Sequence, residues 1–247
     1  MRIPIADVFR DFCAFLLYPQ TCIVCGEDSH GGRPLCEDCL ESRFLSGART
    51  VAFTHADPGR CALCGRPLVS SAGLCTMCRT TPNLSAIDRI VPLYSYAGEG
   101  QELLNAWKTA GVRGLSFSFA RCLAAALETG ARDGPVTLVP VPPRPKKMRE
   151  KGWDQIEELA CLLERFFGTR VLRALVRTGG IQQKKLGRLA RYSNLKGHIC
   201  LKEGVSVPET VILLDDLMTT GSTLDACAGA LKAAGCGKVY GLTLFFD

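Results

Sequence analysis

The sequence predicts an α/β domain, a mainly parallel sheet with flanking helices, preceded by a small cysteine-rich region. Three observations lead there. Eight of the fourteen cysteines fall in four CxxC pairs between Cys22 and Cys78. Near the other end an uninterrupted apolar run, Val211 to Leu214, stops at two acids, Asp215 and Asp216; such a run is what a parallel strand covered on both faces requires. A loop of small residues follows, then a helical pattern ending near Gly235 and a second strand pattern from Lys238 to Phe246.

The cysteine segment is an internal repeat. The first unit, Cys22, Cys25, Cys36 and Cys39, and the second, Cys61, Cys64, Cys75 and Cys78, share the form C-x2-C-G-x9-C-x2-C, with a Leu before the third cysteine. A C-x2-C turn aims two sulfurs at one point, and Gly26 or Gly65 supplies the positive φ that lets backbone N–H groups approach them. The ten-residue gap lets a short hairpin return the second pair. Four thiolates fill a tetrahedral shell, so two structural Zn²⁺ ions are expected and no catalytic metal. An iron–sulfur cluster or a redox dithiol would use the same ligand type. Pairing within each unit is expected, although a cross-braced arrangement has the same spacing. Each segment holds few large apolar residues, and zinc at about 10–16 kcal/mol per site would supply most of its stability.

The six remaining cysteines (Cys13, Cys122, Cys161, Cys200, Cys227, Cys236) stand singly in apolar or helical context, where a thiol acts as a small hydrophobe. No export signal precedes the eight, which argues against a disulfide framework. Residues 1–17 read as an amphipathic helix interrupted by Asp7, Arg10 and Asp11, not as a signal peptide. No apolar stretch approaches the roughly 20 residues of a membrane helix. A soluble, cytoplasmic protein without a membrane partner is expected.

The formal charge of +6 is unevenly placed. From Arg144 to Lys202 fifteen Lys or Arg face five Asp or Glu, a local balance of +10 that leaves −4 for the rest. Such a segment attracts anions, either the phosphates of a small ligand or a nucleic-acid backbone. Its first cluster, Arg144, Lys146, Lys147, Arg149 and Lys151 before Gly152, follows the strand pattern Val136 to Val141. A second run, Lys184, Lys185, Arg188 and Arg191, holds only Tyr192 as an aromatic, which gives little support to a stacking platform for single strands. Trp107 and Trp153 suit core or lid packing as well as base contacts.

The loop after the acids, Thr219-Thr220-Gly221-Ser222-Thr223, has the composition of a phosphate cradle. Gly221 allows close backbone approach, the helix start offers N–H groups, and the hydroxyls add donors. Asp215 and Asp216 would repel a phosphate but suit ribose hydroxyls or Mg²⁺. Acids beside a phosphate cradle point to a sugar phosphate. Neither a P-loop nor a G-x-G-x-x-G after a strand is present.

The run LLDDLMTTGST resembles the phosphoribosyl pyrophosphate (PRPP) motif of type I phosphoribosyltransferases. The wider chain resembles the ComF family of competence-associated, phosphoribosyltransferase-like proteins. Cysteine pairs lie upstream, and Tyr96-Ala-Gly98 with Lys108 to Gly111 is similar to that family's Y-x-G … LK-x-x-G. Leu138 to Pro143 followed by Arg149 to Gln155 is similar to its VPVP … R-x-R-G-F-N-Q, and Gln183 to Leu195 to its Q-x2-L … R-x2-N-L. The resemblance implies that Asp215 and Asp216 hold the ribose hydroxyls and Thr219 to Thr223 the 5-phosphate. It implies that Arg149, Lys151 and Gly152 lie at the pyrophosphate loop, and that Gln183, Arg191 and Asn194 belong to a loop closing over the site. This chain departs from the pattern with Lys151, Trp153 and Asp154 where Arg, Phe and Asn are usual, and it lacks a Thr before the Gln.

The expected organisation is an N-terminal helix (1–17), a double zinc ribbon (18–82), a short join at Asn83 to Ala86 and a phosphoribosyltransferase-like domain (88–247). The expected ligand is PRPP with Mg²⁺. The alternative is a non-catalytic competence protein that binds single-stranded DNA or a helicase partner through its ribbons and basic patch.

Overall fold

The computed structural model describes residues 21–29, 33–53, 57–69, 73–80, 84–130, 136–144, 152–177 and 198–247. The expected N-terminal helix and nine of the fifteen Lys or Arg of the basic segment lie outside these ranges.

Helix α1 (37–48) begins with an α-turn, Glu37–Cys39, continues as a π-helical stretch, Leu40–Leu45, and closes with Ser46–Ala48. Helix α2 (Thr76–Thr80) follows the third cysteine of the second unit. Strand β1 (Arg89–Ser95) leads through α3 (Glu99–Lys108) and α4 (Leu115–Gly130) to β2 (Thr137–Pro140). Helix α5 (Gln155–Phe167) leads to β3 (Arg170–Val171), and β4 (Leu175–Arg177) pairs antiparallel with β5 (Ile199–Leu201). Strand β6 (Thr210–Met218), helix α6 (Ser222–Ala233) and β7 (Lys238–Phe246) complete the order.

Five strands form one sheet in the order β1-β7-β6-β2-β3, and every pairing in it is parallel. The apolar run predicted as a doubly covered strand is the middle strand β6. Alternation sends Ile212 and Leu214 to one face and Val211 and Leu213 to the other, and each of the four is at most 1% exposed. On the first face lie α3, α4 and α5; on the second lies α6 with the β4–β5 ribbon.

The helices follow from local signals. Asp154 caps α5 by accepting from Glu157 N at 2.9 Å, and Gly168 ends it in the left-handed conformation. Ile156, Leu159, Ala160 and Leu163 then form its buried stripe. Trp107 and Phe119 cross edge-on at 5.0 Å beneath the sheet, and the indole N–H of Trp107 donates to Ser116 Oγ at 2.8 Å. Trp107 is thus a core residue.

The two cysteine units join opposite cores. Cys22, Leu35, Cys39 and Phe44 belong to the first face, whereas Cys61 and Cys64 pack with Ile87 and Ile90 on the second. The first unit is held by Tyr94, whose hydroxyl donates to Phe44 O at 2.9 Å, and by Arg121, which forks onto Glu37. The second sits on β1: Ile90 N donates to Leu63 O at 2.8 Å, and a Cβ on Gly65 would come within 2.4 Å of Pro92 Cδ. Among the described residues no helix is long and apolar enough to cross a membrane.

Candidate functional site

The cysteine repeat is a repeat of geometry. Cys22 N donates to Glu27 O and Ile23 N to Pro34 O; thirty-nine positions on, Cys61 N donates to Arg66 O and Ala62 N to Gly73 O. Gly26 and Gly65 both take positive φ, 76° and 68°. The four ligand atoms of each unit lie within 4.8 Å of one another, so the pairing is within units and not cross-braced.

The donor set fits Zn²⁺. Burial pushes the Cys22 thiol up, but N–H groups of Cys36, Cys25 and Val24 outweigh it and leave a value of about 7. Cys61 behaves alike, also at about 7, with Cys64, Cys75 and Leu63 as donors. Burial, the Cys61 charge and its hydrogen bond drive Cys64 up to about 12, and Cys39 and Cys78 are raised further. In each unit the protein itself thus favours the thiolate at the first cysteine and opposes it at the last, and a dication at the centre would favour the thiolate throughout. Four sulfurs leave no open position, so these centres are structural.

The second assembly lies at the carboxyl end of β6. Asp215 and Asp216 are consecutive strand residues and point to opposite faces. Asp216 is 8% exposed, and its Oδ2 meets Lys108 Nζ at 2.7 Å where α3 ends. Asp215 is half-buried on the face of α6 and β4. Burial, then the charge of Asp216, pushes its carboxyl up to about 7, against the Asp216 N–H it accepts at 2.9 Å and the cations Lys108 and Arg177.

The loop then turns into α6 through Gly221, whose φ of 74° is left-handed. A Cβ there would come within 2.8 Å of Leu84 Cδ2, so glycine is required by both conformation and space. Thr220 Oγ1 and Ser222 Oγ share a hydrogen bond at 2.8 Å. The first N–H groups of α6 have no acceptor within their own helix and carry the positive end of its dipole.

Pro140 pairs with Leu214, and Val141 N donates to Leu214 O at 3.0 Å. The chain leaving β2 toward exposed Arg144 therefore starts beside the acid pair. Of the predicted pyrophosphate-loop residues only Gly152 is described, with φ 61°. Arg149 and Lys151 lie outside the described residues, as do Gln183, Arg191 and Asn194. Where the chain re-enters, Trp153 donates its N–H to Glu158 Oε2 at 2.8 Å, and Arg113 stands 5.3 Å over its ring.

Three residues at this end of the sheet carry no motif signal. Burial, then the like charge of Arg144, pulls the guanidinium of Arg177 on β4 below its usual value, against the opposing charges of Cys227 and Asp215. Asp225 in α6 is fully buried and accepts from the backbone N–H groups of Ser85, Ala86 and Ile87 at 2.7, 2.7 and 3.1 Å. Arg66, next to the second zinc knuckle, donates through Nη2 to the main-chain oxygens of Thr219 and Asp247. A basic residue at Arg66 is ordinary in sequence; only the fold brings it to the loop.

The chain thus has a five-stranded parallel α/β sheet preceded by two four-cysteine clusters. No protein-family model matches it, and no curated protein is similar to it in sequence.

Proposed function

We propose that this protein binds PRPP–Mg²⁺ at the carboxyl end of β6, and that the site serves transfer of the 5-phosphoribosyl group to an acceptor with release of pyrophosphate. The observation that carries the reading is the succession of a paired carboxylate site, a small-residue loop and a left-handed Gly221 at a helix start. In this reading Asp215 and Asp216 take the ribose hydroxyls, and residues 219–223 take the 5-phosphate. The basic segment that begins at Arg144, with Arg149, Lys151 and Gly152, neutralises the pyrophosphate, and the stretch with Gln183, Arg191 and Asn194 closes over the bound sugar. Among the described residues only the two cysteine sets gather three or more metal-ligating groups. In this reading Mg²⁺ enters as part of the PRPP complex. Catalysis on such a site comes from positioning and from electrostatic stabilisation of the departing pyrophosphate.

The test is a thermal-shift titration of the zinc-loaded chain with PRPP and Mg²⁺, with ribose 5-phosphate for comparison. Ligand at 100 times its Kd stabilises the native state by about 2.7 kcal/mol, a rise of roughly 5–10 °C for a chain of this size. A Mg²⁺-dependent shift supports the reading; no shift at millimolar ligand rejects it. The local charge of +10 between Arg144 and Lys202 favours a second reading, a ComF-like protein that engages single-stranded DNA or a helicase partner. That reading requires oligonucleotide affinity to fall steeply with salt.

A further inference from the structure

The second cysteine unit and the phosphate loop are in direct contact. Arg66 stands two residues after Cys64, and its Nη2 donates to the carbonyl of Thr219, the first residue of the loop, and to that of Asp247. Asp247 is itself tied to the same strand end, since its N–H donates to Met218 O at 3.0 Å. The base of Arg66 is fixed by the knuckle: Arg66 O accepts from Cys61 N at 2.8 Å, and Gly65 N donates to Cys61 O at 2.9 Å. The knuckle is in turn fixed to the sheet, with Ile90 N on Leu63 O and Arg60 donating to both Gly65 O and Pro92 O.

The consequence lies in the peptide between Thr219 and Thr220. No cis bond is present in the described chain, and a planar trans peptide directs its N–H opposite to its C=O. With the Thr219 carbonyl turned onto Arg66, the Thr220 N–H points away from the ribbon. A cradle of N–H groups binds an anion only if its peptides hold that orientation before the anion arrives.

From these contacts we propose that the second four-cysteine centre and the phosphate loop form one linked binding unit, with Arg66 as the positioning residue between them. A chain whose second site holds Zn²⁺ presents an ordered loop to a phosphate monoester; a chain that has lost it does not. Linkage is reciprocal, so a bound phosphate must tighten the second zinc ion by the factor by which that ion tightens the phosphate. Arg66 Nε is buried without an acceptor among the described residues, and both carbonyl contacts use the single nitrogen Nη2. One ammonium group serves two such acceptors, so Arg66→Lys should retain part of the effect that Arg66→Ala abolishes.

The inference rests on the phosphate-loop reading, and the experiment separates the two. Zinc affinity of the full chain is measured by equilibrium competition with a chromophoric chelator, with and without saturating ribose 5-phosphate. Affinity for ribose 5-phosphate is measured by calorimetry on the wild type, Arg66→Ala and Arg66→Lys, each with two zinc ions bound. The expected result is about fivefold or more tightening of one zinc equivalent by the ligand. That tightening should be lost in Arg66→Ala and partly restored in Arg66→Lys, with a matching loss of ligand affinity. If the wild type binds ribose 5-phosphate but neither zinc equivalent responds, or both respond equally, the linkage is refuted. If it persists undiminished in Arg66→Ala, the role of Arg66 is refuted. If the wild type does not bind ribose 5-phosphate, the loop reading fails and takes the linkage with it.

Discussion

Lys108 Nζ lies 2.7 Å from Asp216 Oδ2, joining the last turn of α3 to the acid pair of β6. The pair is partly screened, with side-chain exposures of 26% and 11%. Its main effect is to place a cation beside two adjacent carboxyl groups on one strand, where burial and the charge of Asp216 push the Asp215 carboxyl up. Lys108→Met should cost about 1–3 kcal/mol, less than loss of a fully buried partner. The double variant Lys108→Met, Asp216→Asn should recover part of that cost. Denaturant unfolding of the four chains measures it, and strictly additive losses would deny the coupling.

Asp215 gives a pH dependence of unusual sign. Its folded value, about 7, lies above that of a carboxylate in an unfolded chain. Between those values the folded state binds more protons, so this group's contribution is fully present at acid pH and is lost as pH rises toward and through 7. Relative to wild type, Asp215→Asn should therefore gain about 2–3 kcal/mol between pH 5 and pH 8. Parallel stability curves for the two chains would refute the raised value.

Gly221→Ala meets two obstacles, a left-handed φ of 74° and Leu84 Cδ2 at 2.8 Å from the new methyl. A loss of about 1–3 kcal/mol is expected, together with loss of ribose 5-phosphate binding. Adding Leu84→Ala removes the contact but not the backbone strain, so binding should stay impaired in the double variant. Calorimetry on both separates the two causes.

Asp225→Ala strips the acceptor from three backbone N–H groups that join the second ribbon to β1. At about 1 kcal/mol or more for each buried donor left unpaired, the loss should reach about 3 kcal/mol. Asp225→Asn keeps one oxygen acceptor and should lose less. Hydrogen exchange at Ser85, Ala86 and Ile87 reports the change directly.

Zinc removal should not be a local event. Cys22 and Cys39 belong to the core on one face of the sheet, and Cys61 and Cys64 to the core on the other. The zinc contribution of about 10–16 kcal/mol per site is as large as the stability of a whole domain. A strong chelator should release two ions per chain, read by elemental analysis, with loss of the cooperative thermal transition. A transition that survives complete zinc removal would contradict this.

How much of this was legible beforehand follows from the range of each interaction. The cysteine units could be read because their ligands and turn glycines lie within eighteen residues of one another. The core of β6 and its loop could be read because burial on both faces leaves an unbroken apolar run, and Gly221 stands where the turn needs it, but the strand runs on through both acids to Met218, past the expected end. The expected β7 matches at both ends, Lys238 and Phe246. Arg66 on Thr219, Lys108 on Asp216 and Asp225 on Ser85 escaped, since each joins segments far apart in the chain and uses a residue type common on any surface. The π-helical stretch Leu40–Leu45 also escaped, as its residues carry no period that separates it from an α-helix.

The seating of the second ribbon on β1 has one more consequence. β1 is one of the two outer strands of the sheet, and its free side is occupied by the knuckle, through Leu63 O and the Gly65–Pro92 contact. An uncovered outer strand is a template for strands of other chains. Zinc at the second centre should therefore also guard against self-assembly. Chains made under zinc starvation should accumulate as β-rich aggregates, and returning the metal after they have formed should rescue far less protein than supplying it during synthesis.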